Sequence, residues 1–297
     1  MARNIYTNTG KVSTTIGCIS LENHGLSFGF PFPEYLMPIG RKTTLLDAAI
    51  INCLYFGVSS IWITVNDDYL PLIKKRVGDY GHDPVYYINA FSKYRTDVRK
   101  KVPIYFVPTM TRYRDYCDNH TFGFINAALY AQKVYSQLTK YCVPEYYFFS
   151  SPFGVYNYRD FSEKRKQLYN KKIIFECGDK SVLANNQLPI CVDKEDIKSI
   201  RRHVVLNSNK RHKVIGDFIP NDTSWLELLP KEERFRGKKM TVSEVLSPID
   251  ESSFERFELS WFYDIVDWAS YEEYTRSNNY IIYSSMVRPN NSLGDFS

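Results

Sequence analysis

Ser27 is the first residue of the chain whose neighbours are typical of a catalytic site. The residues from Gly25 to Gly29 read GLSFG, which satisfies the G-x-S-x-G pattern of a nucleophilic serine, and they follow a short apolar run that predicts a strand. Such a serine must turn directly from the strand into a helix. The sequence FPFP at 30–33 excludes a helix here, because proline lacks the N–H group that a helix needs and restricts the residue before it. A hydrolytic serine completed by His203 or His212 is therefore not favoured.

Carboxylates are the next residues that could take part in catalysis or metal binding, since they serve as general acids, general bases or metal ligands. Three pairs stand out, namely Glu22 with Glu34, Asp67 with Asp68, and Asp115 with Asp118. Turns and helix ends also produce such pairs, so a structural role is favoured for each. The sequence contains no Walker A motif, no G-x-G-x-x-G, no H-E-x-x-H and no D-x-D triplet.

The charge of the chain favours no polymeric partner. The net charge is +5 and is spread over separate clusters rather than a tail. The clusters are Lys74-Lys75-Arg76, Arg99-Lys100-Lys101, Lys164-Arg165-Lys166 and Lys210-Arg211-His212-Lys213. Runs of this kind are more typical of solvated faces than of nucleic-acid grooves, although they also suit a phosphate-bearing ligand. A nucleic-acid partner is not favoured but stays open, as does an oligomer.

Apolar runs and cysteines indicate the compartment. No run approaches the ~18 apolar residues of a membrane span, and the first residues lead into polar sequence instead of a signal-peptide core. The six cysteines are scattered without C-x-x-C or Cys/His metal spacing, so they are expected to be reduced and mostly buried thiols. We therefore expect a cytoplasmic protein with no membrane partner.

The elements that must position a site alternate between strands and helices. The apolar run at 16–21 predicts a strand, and Thr44 with Asp47 resembles a capping box that begins a helix over 44–56. A second strand at 61–65 and a helix over 69–77 follow. This alternation predicts a doubly wound, mostly parallel mixed sheet, whose ligand crevice lies at the carboxyl ends of the strands.

Further along the chain the pattern becomes less regular. Further strands are predicted at 85–89, 103–107, 145–150, 172–176 and 259–266, and helices at 122–140 and 271–276. From 178 to 257 four prolines break the pattern into short polar pieces, which indicates an irregular insertion or small subdomain. We expect one α/β domain over 1–277 and a C-terminal tail over 278–297.

The segment from Pro33 to Asp47 reads PEYLMPIGRKTTLLD, and it resembles the segment P-K-x-L-L-P-I-x-G-K-P-x-L of sugar-1-phosphate nucleotidyltransferases. Other stretches match the same family in order over roughly 16–275. They are the glycine at Gly25, the strand from Ile61 to Asn66, the HTFG sequence at 120–123, which is similar to a G-T-A-G loop, and the WFYDIVDW sequence at 261–268, which is similar to W-x-D-I-G-T. The ordered set implies a sheet of nucleotide-diphospho-sugar transferase type.

The resemblance implies particular site residues. The arginine and lysine of the family fall on Ser27 and Glu34, so two positive charges are lost and one negative charge is gained where phosphates would lie. Neighbouring Arg41 and Lys42 are the candidates to replace these cations. Asp264 stands at the position of the second metal-binding aspartate of the family, whereas the first falls near Ser150-Ser151-Pro152 and has no carboxylate.

Two functions follow from this resemblance. The first is transfer of a nucleotidyl group from an NTP to a sugar 1-phosphate with release of pyrophosphate and with Mg²⁺ as cofactor. Its metal would be held by Asp264 and by Asp67 or Asp68, and Gly25, Thr121 and Gly123 would contact the nucleotide. The alternative is a non-catalytic module that binds a nucleotide or nucleotide sugar, or has a structural role. The crevice is expected to comprise 22–42, 66–68, 120–123, 150–152 and 264.

Overall fold

The central sheet contains, in spatial order, the strands at 255–258, 173–177, 190–193, 146–149, 15–20, 61–66, 101–109 and 80–82, and the strand at 180–181 pairs with that at 173–177. The computed structural model describes residues 14–22, 28–85, 101–110, 119–138, 143–208, 212–214, 226–230, 234 and 240–284. The strands are β1 Thr15–Ser20, β2 Ile61–Asn66, β3 Tyr80–His82, β4 Lys101–Thr109, β5 Tyr146–Phe149, β6 Gly154–Tyr156, β7 Ile173–Cys177, β8 Lys180–Ser181, β9 Ile190–Asp193, β10 His212–Val214, β11 Leu226–Leu228, β12 Glu255–Glu258 and β13 Phe262–Asp264. The helices are α1 Leu45–Phe56, α2 Leu70–Val77, α3 His120–Leu138, α4 Tyr158–Leu168, α5 Lys194–Asn207, α6 Val242–Leu246, α7 Trp268–Arg276 and α8 Tyr280–Ser284.

Four neighbouring strands of this sheet, β5, β1, β2 and β4, are mutually parallel. Strand β9 lies antiparallel between β5 and β7, and β12 is parallel to β7. The prediction that the strands at 16–21 and 61–65 are parallel neighbours is confirmed, because Gly17 pairs with Ile61 and Ser20 with Thr64. The sheet is mixed and mostly parallel in its centre, as the sequence predicts.

Helices α1 and α3 cover opposite faces of β1. A Cβ at Gly17 would lie 2.9 Å from the Sγ atom of Cys53 in α1, whereas a Cβ at Gly123 in α3 would lie 2.0 Å from the Oγ atom of Ser20. Side chains of a strand alternate between its two faces, so residues 17 and 20 point to opposite sides. The fold is therefore doubly wound.

The start of α1 is fixed by a network of polar contacts. The Thr44 hydroxyl accepts a hydrogen bond from the Asp47 N–H, and the Asp47 carboxylate accepts one from the Thr44 N–H at 2.9 Å. Arg76 in α2 adds an ion pair to the same carboxylate, with 2.5 Å between Nη2 and Oδ2. The helix ends at Gly57, whose φ of 97° suits glycine. The predicted boundaries of α1 are confirmed, as is the end of α2 at Gly78.

Four of the predicted secondary-structure assignments need correction. Residues 84–85 are helical instead of extended, and the remainder of the strand predicted at 85–89 lies outside the described residues. The stretch 178–257 is more regular than predicted, because it supplies β9 to the central sheet and the 14-residue helix α5. Burial of apolar side chains on both elements, which depends on tertiary packing, outweighs its polar sequence.

The C-terminal part also differs from its predicted pattern. Of the strand predicted at 259–266 only β13 is extended, and β12 ends before this stretch. The Ser260 N–H between them donates to the Asp160 carboxylate at 2.8 Å instead of pairing in the sheet. The tail beyond 277 contains α8, whose Tyr283 is fully buried and donates to the Asn52 side chain of α1 at 3.0 Å.

Replacement of Thr44 tests how far the capping box stabilises the fold. We expect Thr44→Ala to lower the free energy of unfolding by about 0.5–2 kcal/mol, because the Asp47 N–H loses its acceptor. Urea denaturation measures the change. Thr44→Ser keeps the hydroxyl and serves as the matched control, which should retain most of the stability. Equal losses in both variants would contradict a capping role.

Candidate functional site

Polar side chains gather where the central parallel strands end. The pairing places Ser20 of β1 beside Thr64 of β2, and Asn66 beside Thr109 of β4. Because these strands are parallel, their carboxyl ends meet at one edge of the sheet, where open α/β sheets bind ligands. We call this edge, with the first turn of α3, the carboxyl-edge crevice.

Glu22 lies at the centre of the crevice. Only 1% of its surface is exposed, and one of its carboxylate oxygens accepts a short hydrogen bond from the Thr109 hydroxyl. Its N–H donates to the Ser20 hydroxyl at 3.4 Å. A buried carboxylate is costly unless it is hydrogen bonded, so this interaction fixes the position of the chain that leaves β1.

Three buried polar atoms around Glu22 have no hydrogen-bond partner in the structure. They are the Thr64 Oγ1, the Asn66 Oδ1 and the hydroxyl of Tyr35. Burial raises the pKa of Tyr35, and the charges of Tyr69 and Glu22 add to this effect. Leaving a buried polar group unsatisfied costs roughly 1–3 kcal/mol, so a group of three at one edge requires an explanation.

Helix α3 brings His120, Thr121 and Gly123 onto the same edge. Asn119 caps the helix, because its side-chain oxygen accepts from the Thr121 N–H at 3.0 Å. Gly123 lies so close to Ser20 and Thr64 that a side chain there would overlap both hydroxyls. This close contact explains the glycine by packing, and the contacts predicted for Gly123 and Thr121 with a nucleotide remain predictions.

His120 is held neutral at the start of α3. Burial lowers its pKa from 6.5 to about 3, although a hydrogen bond with the Ser20 backbone opposes this shift. Its ring makes an edge contact with Phe124, with 4.4 Å between the ring centres. A neutral imidazole donates and accepts hydrogen bonds without adding charge, which suits an uncharged partner better than a phosphate.

Asp264 lies beside a second group of polar residues. Its Oδ2 accepts from the Asn186 side chain at 3.2 Å and from the Gln187 N–H at 3.4 Å, and Gln187 in turn accepts from Ser151 at 2.6 Å. Burial raises the pKa of Asp264. The Asp264 Oδ1 is buried and has no hydrogen-bond partner among the residues that the structure describes.

The two polar groups adjoin each other across a small cavity. His120, Thr121, Ser151 and Gln187 line this cavity, whose volume is about 10 Å³. The structure therefore brings together the predicted stretches at 120–123, 150–152 and 264. Ser150 points away from this group, because its hydroxyl lies 3.2 Å from the Tyr156 hydroxyl under α1.

Glu34, which the resemblance aligns with a lysine, makes a hydrogen bond within the structure. Its Oε1 accepts from the Phe28 N–H at 2.9 Å, while the Phe28 carbonyl accepts from the Trp268 indole at 3.2 Å. Phe30 packs edge-on against Trp268, with 5.2 Å between the ring centres. These contacts close the loop that follows the undescribed residues 23–27 and join it to α7.

The remaining residues predicted for the site are exposed or lie outside the described ranges. Arg41, Lys42 and Asp68 are exposed, and the Lys42 carbonyl accepts from Arg76 at 3.5 Å. Gly25 and Ser27 lie outside the described residues. The catalytic, nucleotide-binding and metal-binding roles of all these residues stay predictions.

Residues that sequence reasoning did not single out also contribute to the site. Tyr35, Asn66 and His120 fall inside the predicted crevice stretches, and only their burial distinguishes them from their neighbours. Asn186 and Gln187 lie in the stretch taken as an insertion. No sequence signal marks these two, because their contact with Asp264 spans more than 75 residues of the chain.

A divalent metal has one suitable protein oxygen in this region. Within the described ranges no three His, Cys, Asp or Glu side chains are grouped as a metal site requires. The unpartnered Asp264 Oδ1 still suits Mg²⁺, which commonly takes one or two carboxylates and completes its shell with phosphate oxygens and water. The metal-binding role of Asp264 stays a prediction.

Comparison with known proteins supports the fold. No protein-family model and no curated protein sequence matches the chain. A structure from Bacillus anthracis, described as a glucose-1-phosphate thymidylyltransferase in complex with sucrose, matches 92% of this chain and 96% of its own length, with a TM-score of 0.53 and 9% identity. The fold of this chain is thus that of nucleotidyltransferases.

Two other structures match with lower scores. One is the nucleoside-diphosphate-sugar pyrophosphorylase from Vibrio cholerae, with 12% identity, a TM-score of 0.46 and coverage of 88% of this chain and 100% of that chain. The other is the 4-diphosphocytidyl-2C-methyl-D-erythritol synthase from Anaerococcus prevotii, with 11% identity, a TM-score of 0.44 and coverage of 91% of this chain and 96% of that chain.

None of the helices in the described ranges has the length and apolar character of a membrane span.

The neutral state of His120 predicts a specific sensitivity to acid. Between pH 6.5 and about 3 the unfolded chain binds a proton that the folded chain excludes, so stability falls as pH falls. By pH 5 this one group should lower the free energy of unfolding by about 2 kcal/mol. We expect His120→Gln to reduce the loss between pH 7.5 and pH 5 by about that amount.

Urea denaturation at the two pH values measures this difference. His203→Gln is the control, because it removes a histidine that lies outside the crevice, beside Ser247. This variant still contains His120 and should therefore keep the loss of stability that His120 causes. An unchanged pH dependence in His120→Gln would show that the imidazole is not kept neutral.

Proposed function

We propose that this chain binds a nucleotide or a nucleotide sugar in the carboxyl-edge crevice. The observation that carries the proposal is the group of buried unpartnered polar atoms on Thr64, Asn66 and Tyr35. Thr64 and Asn66 lie at the carboxyl end of β2, and the turn at Glu34–Leu36 places Tyr35 near Glu22. Unpartnered polar atoms at this edge argue for a ligand that supplies the missing hydrogen bonds. The fold shared with a glucose-1-phosphate thymidylyltransferase supports a nucleotide as that ligand.

The chemistry of the crevice indicates which part of the ligand it binds. Neutral donors and acceptors from Thr64, Asn66, Tyr35 and His120 suit the hydrogen-bonding edge of a base or the hydroxyls of a sugar. The buried Glu22 carboxylate repels phosphates and accepts hydrogen bonds from N–H or hydroxyl groups. The phosphates are therefore expected to point away from Glu22.

Nucleotidyl transfer to a sugar 1-phosphate is the second candidate function. The unpartnered Oδ1 of Asp264 favours it, since this oxygen suits a metal ion that also binds phosphate oxygens. Mg²⁺ at this position would neutralise charge that develops on the phosphates during transfer. The backbone of Gln187 and the side chain of Asn186 would orient the carboxylate.

Replacement of Thr64 tests the proposed binding site. We expect Thr64→Val to raise the free energy of unfolding by about 1 kcal/mol, because a buried unsatisfied hydroxyl is replaced by a methyl group of similar size. The same change should reduce the thermal stabilisation by nucleotides, because the hydroxyl is one of the groups that bind the ligand. Thermal denaturation with and without saturating UTP, CTP, ATP, GTP or dTTP measures both effects.

Thr15 at the opposite end of β1 provides a matched control. Its hydroxyl is also buried without a partner, but it lies at the amino edge of the sheet. Thr15→Val should stabilise the chain as Thr64→Val does and leave the effect of nucleotides unchanged. The proposal is wrong if none of these nucleotides or common nucleotide sugars stabilises the native chain, with or without Mg²⁺. Ligand at 100 times its Kd should add about 2.7 kcal/mol.

Pyrophosphate release separates transfer from binding alone. If the chain catalyses transfer, NTPs with sugar 1-phosphates should release pyrophosphate, and Asp264→Asn should lower the rate by about tenfold or more. Glu34→Gln is the comparison variant, since it keeps an acceptor for the Phe28 N–H and removes the negative charge. No release from any pair, with nucleotide binding intact, would leave the binding module as the function.

A further inference from the structure

A groove lies between α3 and α5 at the edge of the sheet opposite the carboxyl-edge crevice. Its volume is about 490 Å³. Val143, which precedes β5, and Lys194, which follows β9, place it there, because Asp193 at the end of β9 pairs with Tyr146 at the start of β5. The groove and the crevice therefore lie at the two ends of the sheet.

Regular helical spacing builds both walls of the groove. Helix α3 presents Asn126, Leu129, Lys133 and Ser136, which recur every three or four residues and share one face, with Tyr130 and Gln132 beside them. Helix α5 presents Lys194 and Arg201, which are seven residues apart and so lie on one face about 10 Å from each other along the axis.

The charged residues of the groove are all cations. Lys133, Lys194 and Arg201 line it, and no Asp or Glu does. None of the three side chains makes an ion pair or a side-chain hydrogen bond within the described part of the chain. Other lysines of this region are neutralised, since Lys198 pairs with Glu195 at 2.7 Å and Lys172 pairs with Asp196 at 2.9 Å. Three cations without such a partner therefore line the groove.

Apolar surface accompanies these cations. Leu129, Val143 and the half-exposed ring of Tyr130 form the remaining wall. Aromatic and aliphatic side chains of this kind pack against a flat ring, whereas lysine and arginine bind phosphate oxygens. The volume lies within the range of about 300–1,000 Å³ that holds small molecules.

We propose that this groove binds a small phosphorylated molecule that carries a flat ring. Its phosphates lie between Lys133, Lys194 and Arg201, and its ring packs on Tyr130 and Leu129. The site is separate from the carboxyl-edge crevice and does not depend on the function proposed there. Its limited size favours a small molecule over a polymer.

Calorimetric titration of the full chain with ADP and with pyrophosphate tests the proposal. We expect saturable binding of ADP that pyrophosphate competes for and that weakens as salt increases. The double variant Lys133→Gln/Arg201→Gln should weaken the binding by about tenfold or more, since it removes two of the three cations that contact the phosphates. Lys198→Gln, on the same helix but outside the groove, is the matched control and should bind like the native chain.

Photolabelling with 8-azido-ADP identifies where the nucleotide binds. Mass spectrometry should find label on the peptides of α3 and α5 that line the groove, and this label should be lost in the double variant. Circular dichroism verifies that the variants are folded. Undiminished ADP affinity in the double variant, or label confined to the carboxyl-edge crevice, would overturn the proposal. The absence of ADP binding to the native chain would overturn it too.

Discussion

The close contact between α3 and the ends of β1 and β2 is the constraint on which the site depends. Gly123 permits it, because any larger residue would overlap the hydroxyls of Ser20 and Thr64. With the helix at this distance, His120 lies against the Ser20 backbone and Thr121 lines the cavity shared with Ser151. The same helix, about 28 Å long, carries the wall of the cationic groove at its other end.

Charge is distributed unevenly between the two ends of the sheet. The carboxyl edge contains Glu22, Glu34 and Asp264, of which Glu22 is buried and the other two are partly buried. Glu34 accepts a hydrogen bond from the Phe28 N–H and so helps to close a loop. The carboxyl edge is therefore acidic, whereas the groove at the opposite edge is lined by cations.

The unpartnered polar atoms at the carboxyl edge lower the stability of the fold. Apolar residues at these positions would remove a desolvation cost of the order of 1–3 kcal/mol each. Functional sites commonly depart from the rule that buried polar groups are paired, and the rest of the fold compensates for them. Here the compensation comes from the core around β1 and α1, in which Ile16, Ile19, Leu45 and Leu46 are fully buried.

Local sequence patterns were sufficient to predict the elements that begin the fold. The capping box of Thr44 and Asp47, the glycine that ends α1 and the apolar runs at 16–21 and 61–65 act through neighbouring residues, so they are readable without the structure. The ordered resemblance to nucleotidyltransferases predicted the sheet correctly for the same reason. The resemblance rests on short segments that keep their local structure.

Tertiary structure alone decided how the site is assembled. Glu22 meets Thr109, Asp264 meets Gln187, and Phe28 meets Trp268, across separations of 87, 77 and 240 residues. No local pattern records such contacts, because they follow from the register of the strands and from the distance at which α3 packs on them. Burial, which leaves Thr64 and Asn66 unpartnered and keeps His120 neutral, is likewise a property of the folded chain.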